Sequence, residues 1–171
     1  MGLVYWAPMT DGTVKNQGII TTQALATENS HYSSSTDGKL GKCIKTNSSS
    51  SIDTFLIGDW VGEKSNTLAG WFYFPYNEIK TVIDANTSTN TVPTGTLFGY
   101  CSYAGIGLSW YSNKPMTTFW VMIAIRTGSS LYTAGYQLTA HDLMDKWVHL
   151  AGIWDNDNLK IRFFVNGEQV T

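Results

Sequence analysis

The sequence predicts an all-β protein, an antiparallel β-sandwich, and four observations point to it. The chain has 171 residues, 43% apolar, 13% aromatic and only 14% charged, enough to bury a core. Thr, Ser, Asn and Gly are abundant while Glu, Lys and Arg are scarce, a balance that suits strands and polar turns better than helices. From Leu97 onward, short β-prone runs recur with turn residues between them, the spacing of a sandwich. Finally, the apolar runs Trp147 to Trp154 and Leu159 to Val165 flank Asp155-Asn156-Asp157-Asn158, and Asn166-Gly167 follows at once. Both of those last residues accept positive φ, as a type I′ turn requires, so Glu168 to Thr171 should fold back along Ile161 to Val165.

The elements follow in order. Leu3 to Met9 reads as a first strand at a sheet edge, because Pro8 has no amide hydrogen for a central ladder. Thr10-Asp11-Gly12 is a turn, Ile19 to Thr22 is a short β-prone run, and the polar stretch to Thr36 shows no periodicity. Asp37 to Lys42 is a second turn, from which Cys43 to Thr46 leaves as a brief strand. Asn47 to Ser51 is a serine tract too short for a linker, so one domain spanning 1–171 is expected. Phe55 to Gly62 fits helix and strand equally well and stays unassigned.

Thr67 to Tyr76 is a strand whose large residues Trp71, Phe72, Tyr73 and Phe74 suggest a sheet covered on both sides. Asn77 to Thr96, with the apolar patch Ile79 to Ile83, reads as a long exposed loop. Leu97 to Ser102, Ile106 to Tyr111 and Thr117 to Arg126 form a meander, Gly128-Ser129-Ser130 turns the chain into Leu131 to Thr139, and His141 to Lys146 reads as a helical turn. In the last strands Ile161, Phe163 and Val165 share one face and should be core. Around Val148, Leu150 and Gly152 neither face is polar, so one face must be covered by something else.

The net charge of −2 is spread without a basic run, which leaves no electrostatic footprint for nucleic acid. The apolar stretch nearest the N-terminus is broken by Pro8 and lacks a basic flank, and no segment has the length of a membrane span. Cys43 and Cys101 permit one disulfide, but without a secretory signal two reduced thiols is the reading taken. Neither has the spacing of a zinc site.

Five segments in succession carry a family likeness: Asp11-Gly12 with Asn16 and Gly18, Gly38-Lys39-Leu40-Gly41-Lys42-Cys43, Thr67 to Phe72, Lys146 to Ala151, and Phe164-Val165-Asn166-Gly167. The chain resembles the concanavalin A-like, laminin-G-like jelly-roll domains, and is most similar to versions in bacteriophage virion proteins. The W-x-H-x-A strand followed by a strand ending V-N-G is its most specific element. The resemblance implies a virion location, assembled in the host cytoplasm without a signal peptide, on a head-fibre, decoration or tail-fibre protein. It implies other virion proteins and further copies of the chain as partners, host-surface or mucosal glycans as ligands, and neither nucleic acid nor membrane insertion. Such domains continue past the N-G hairpin, so a closing strand is expected after Thr171.

Enzymes of this fold that cleave glycosides place carboxylates as E-x-D-x-x-E on one strand. The four Glu residues, Glu28, Glu63, Glu78 and Glu168, lie in apparent loops or turns without that spacing, so no catalytic residue is expected. His31 falls in a polar loop, His141 beside Asp142 in a turn, and His149 is a strand histidine expected to pack beside Trp147 or Trp154. Laminin-G-like and pentraxin-like relatives often hold calcium, and Asp155 and Asp157 are the candidate ligands, although a tight turn demands the same residues. Otherwise no cofactor is expected.

Aromatic residues are the best case for ligand binding. Tyr100, Tyr103, Trp110, Tyr111, Trp120, Tyr132 and Tyr136 fall on the central strands and their connections, and sugar rings stack on such side chains. Tyr103, Tyr132 and Tyr136, taken as loop residues, and Trp110 are the candidate carbohydrate-binding residues.

Overall fold

The computed structural model describes residues 32–46, 65–85, 94–99, 105–127 and 129–171. The expected elements at 3–9, 10–12 and 19–22, the serine tract 47–51 and the unassigned segment 55–62 lie outside them, as do His31, Tyr100, Cys101 and Tyr103. The chain divides into two compact units, Met1–Asp59 and Trp60–Thr171.

In the first unit β1 (Tyr32–Gly38) and β2 (Gly41–Thr46) form an antiparallel hairpin. The turn and the second strand match the sequence reading. Strand β1 does not, because it runs through a polar stretch without alternation and is held by its backbone ladder to β2. Gly38 closes the hairpin opposite Gly41, where a Cβ would collide with the backbone of Gly41 and Lys42. Cys43 is a half-buried free thiol.

The second unit is mostly strand. Its elements are β3 (Asn66–Tyr73), α1 (Tyr76–Ala85), β4 (Thr94–Gly99), β5 (Gly105–Ser112), β6 (Thr118–Thr127), β7 (Ser130–Thr139), α2 (Ala140–Leu143), β8 (Trp147–Asp155), β9 (Lys160–Val165) and β10 (Glu168–Gln169). They form two four-stranded antiparallel sheets, ordered β10-β9-β8-β3 and β4-β5-β6-β7. The second is the expected meander.

Alternation decides which faces meet. Phe119, Val121, Ile123 and Ile125 of β6 are buried, as are Val148, Leu150 and Trp154 of β8 and Phe163 of β9, all in one core. Gly152 sits within the β8 row, where a Cβ would overlap the Ile123 side chain, so glycine permits this close approach of β8 to β6. Ile161, Phe163 and Val165 share the core-facing side of β9, as predicted.

One expectation fails here. Residues 77–96 are not a long loop, because α1 occupies the first part and β4 begins at Thr94. Tyr76, Ile79 and Ile83 recur at helical spacing and turn toward the core, with Ile83 fully buried, while Lys80 and Asp84 pair on the exposed side. Pro75 accepts the first helical hydrogen bond, from Ile79 N at 3.0 Å, but has no side-chain acceptor to cap the helix. Asp145 does so instead, its Oδ1 accepting from Tyr76 N at 3.0 Å. The outer face of β3 and β8 keeps large aromatic rings partly exposed within the chain. Trp71 and Tyr73 are each 43% exposed. Their rings meet cross-strand neighbours, Trp71 edge-on to His149 at 5.2 Å and Tyr73 tilted on Trp147 at 5.7 Å. His149 therefore packs on Trp71, not on Trp147 or Trp154.

The closing hairpin follows the sequence closely. Asn166 and Gly167 have φ of 51° and 88°, the left-handed pair of the predicted turn. Asn166 also accepts from His149 N through Oδ1 at 3.0 Å and donates from its own amide to His149 O at 2.8 Å, tying the turn to β8. Leu159 has φ of 52°, so β9 begins one residue later than expected, at Lys160.

Candidate binding surface

The outer face of the β4-β5-β6-β7 sheet carries the most developed polar and aromatic arrangement among the described residues. Since Phe119, Val121, Ile123 and Ile125 point inward, Trp120, Met122, Ala124 and Arg126 point outward. The ladder sets Tyr111 of β5 opposite Trp120 and Trp120 opposite Gln137 of β7. The Tyr111 and Trp120 rings stack at 4.6 Å with planes 6° apart. Trp120 Nε1 donates to Gln137 Oε1 at 3.0 Å, a bond that leaves the amide N–H donors of Gln137 unused. The row thus ends in an exposed amide.

The next cross-strand row is Ser109, Met122 and Gly135, followed inward along β6 by Ala124. Met122 is flanked across the strands by the small residues Ser109 and Gly135. The stacked rings and the neighbouring amide make a shelf suited to a planar or ring-shaped ligand.

The turn after β5 holds the end of this shelf in place. Asn113 Oδ1 accepts from Thr117 N at 3.0 Å and from Thr118 N at 2.8 Å, while its Nδ2 donates to Thr117 Oγ1 at 2.6 Å. Buried Ser112 donates to Thr118 O at 2.8 Å. Lys114 donates to Asp84 O at 2.9 Å, satisfying a carbonyl in the last turn of α1.

The candidate residues named from sequence are placed differently. Trp110 faces inward, stacked on Phe119 at 5.3 Å and packed on the core. Tyr132 and Tyr136 lie on strand β7, not in a loop, and face inward opposite Ile125 and Val121. Tyr136 packs on the core, and Tyr132, 37% exposed, stacks on Trp154 at 5.6 Å. These three are not brought together with the outer row. Tyr111 and Trp120, named only among the aromatics at large, are the pair the fold does assemble. The parity of β6 was the signal that could have singled out Trp120.

Asp155 and Asp157 lie in the turn between β8 and β9. Asp155 accepts from Asn158 N through Oδ1 at 3.2 Å and from Asn158 Nδ2 through Oδ2 at 2.9 Å, so both oxygens serve the turn itself. The side-chain bond from Asn158 is the main reason its carboxyl titrates below the ordinary range. Asn156 N donates to Ser65 Oγ at 3.0 Å, fastening the turn to the start of β3. No cluster of three or more His, Cys, Asp or Glu suited to a metal occurs among the described residues. Glu78 lies in the first turn of α1 and Glu168 on β10, not in loops.

Comparison with protein-family models, with curated proteins and with solved structures finds no match for this chain.

Proposed function

We propose that the chain is a non-enzymatic, lectin-like module of a bacteriophage particle, of the head-fibre, decoration or tail-fibre type, that binds surface glycans on the outer face of the β4-β5-β6-β7 sheet. The observation carrying this reading is the Tyr111-Trp120-Gln137 row, which sets aromatic carbon beside an amide, next to the row Ser109, Met122 and Gly135. Sugars combine C–H faces with hydroxyls, and a ring wall next to amide donors meets both. The concanavalin A-like jelly roll is the finer form of the fold under this reading, and the W-x-H-x-A and V-N-G segments of β8 and β9 support it. The absence of an E-x-D-x-x-E strand from the sequence supports binding without hydrolysis.

A glycan array probed with the full chain tests the proposal. A saturable signal that Trp120→Ala abolishes is expected, and a flat array counts against it. A second reading, a structural subunit packed against other virion proteins, is favoured by the exposed Trp71 and Tyr73 on the opposite sheet. A flat array together with protection of those two rings in the assembled particle would select that reading.

A further inference from the structure

An Asn-Gly pair is prone to close on itself, because glycine has no side chain to shield the backbone nitrogen that attacks the asparagine amide. Asn166-Gly167 is the only such pair in the chain, and both residues are exposed at the tip of the closing hairpin. The fold holds Asn166 in two ways. Its Oδ1 accepts from His149 N and its own amide donates to His149 O, so one residue grips both backbone groups of His149 on β8. At φ of 51° it is also left-handed, a conformation in which Cβ and the Gly167 nitrogen lie nearly opposite each other across the Cα–C bond. A five-membered ring needs them eclipsed. The closed turn therefore forbids the reaction that its sequence invites.

We propose that Asn166 is a site of spontaneous deamidation gated by the closing hairpin, which converts when β10 parts from β9 and whose isoaspartate product cannot re-form the turn. In the opened hairpin Gly167 N, having given its proton to solvent, bonds to Asn166 Cγ, the Cγ–Nδ2 bond breaks and ammonia leaves. Water then opens the succinimide. Cleavage of the bond from the ring nitrogen to Cγ gives aspartate, and cleavage of its bond to the main-chain carbonyl carbon gives isoaspartate. One water is consumed, one ammonia is released and one negative charge is gained. Isoaspartate routes the main chain through Cβ, adding an atom to a two-residue loop whose length sets Glu168 opposite Val165 and Gln169 opposite Phe164. The opening required is local. Strand β10 has two residues, and the returning chain is held by Val170 N donating to Phe163 O at 2.8 Å, Phe163 N donating to Thr171 O at 3.0 Å, and Val170 packing on the core.

Incubation of the folded chain beside the urea-unfolded chain, at one mildly alkaline pH and one temperature, followed by peptide mapping in the mass spectrometer, reads the conversion. Both should gain isoaspartate at 166, the folded chain slower by about tenfold or more. Val170→Ala trims the packing that keeps the returning chain closed, and should speed conversion in the folded chain several-fold while leaving the unfolded rate unchanged. Hydrogen exchange in the same samples separates local opening from loss of the fold. Exchange of the residue-170 amide should rise by the same factor as conversion, while the Ile123 amide on the central strand β6 stays protected. Wild type in low urea supplies the same comparison without a substitution. Equal rates in the folded and unfolded chains overturn the proposal. So does a folded chain that never converts while the unfolded one does, or an exchange rate that rises at residue 170 without a rise in conversion.

Discussion

Tyr111 and Trp120 lie ring over ring across β5 and β6, 4.6 Å apart and within 6° of parallel, on the side of the sheet away from the core. A stacked pair adds about 0.5–1.5 kcal/mol beyond its area burial, so Trp120→Ala should lower stability by about 1 kcal/mol. Gln137→Ala removes an exposed partner and should cost less than about 0.5 kcal/mol, while still weakening any ligand held at the shelf. Urea denaturation of both variants, set beside their binding, separates the two effects.

Gly152 tests the sandwich itself. Its missing Cβ admits Ile123 from the facing sheet, so Gly152→Ala should destabilise by about 1–3 kcal/mol through overpacking. Shortening Ile123 to Val should recover part of that loss, and a double-mutant cycle would measure the coupling. Additive effects would mean that the two residues do not meet.

Asp145 caps a helix that begins sixty-nine residues earlier in the chain. Asp145→Ala should cost about 1–2 kcal/mol, since it removes the cap and sets a Cβ residue without polar compensation at φ of 56°. Asp145→Asn keeps an acceptor and tolerates the left-handed conformation, and should restore most of the loss. Thermal melts of the two variants check the order.

Asp155 gives a pH dependence whose sign is fixed by its hydrogen bonds. Its folded carboxyl is held below the unfolded value by Asn158. The stabilisation is therefore complete above the unfolded value of about 4 and is lost as pH falls through the folded one. Asp155→Asn should lose that part of the acid dependence, so the gap between wild-type and variant melting temperatures should narrow below about pH 4. The group is exposed, so the shift should be small and should shrink further in salt.

Most of the strands were legible because each carries its own signal. The Asn-Gly turn and the parity of Ile161, Phe163 and Val165 depend only on neighbours in sequence. Helix α1 was hidden because its apolar residues are few, Tyr76, Ile79 and Ile83, and its cap comes from Asp145 far along the chain. Trp110 and Tyr111 illustrate the limit at the site. They are adjacent, so one must face in and one out, and the choice is made by partners on β6, Phe119 for the core and Trp120 for the surface. On β7 both faces mix apolar and polar residues, so alternation alone could not say that Tyr132 and Tyr136 turn inward.

Ligand binding at the outer shelf is reported directly by the indole N–H resonance of Trp120. Trp120→Phe assigns the signal, and the chain is then titrated with hexoses, N-acetylhexosamines and sialic acid. The Trp120 indole and the Gln137 side-chain amide should shift together and saturably while the buried Trp154 indole stays still. A spectrum that no sugar perturbs, or one in which Trp154 moves and Trp120 does not, would contradict it.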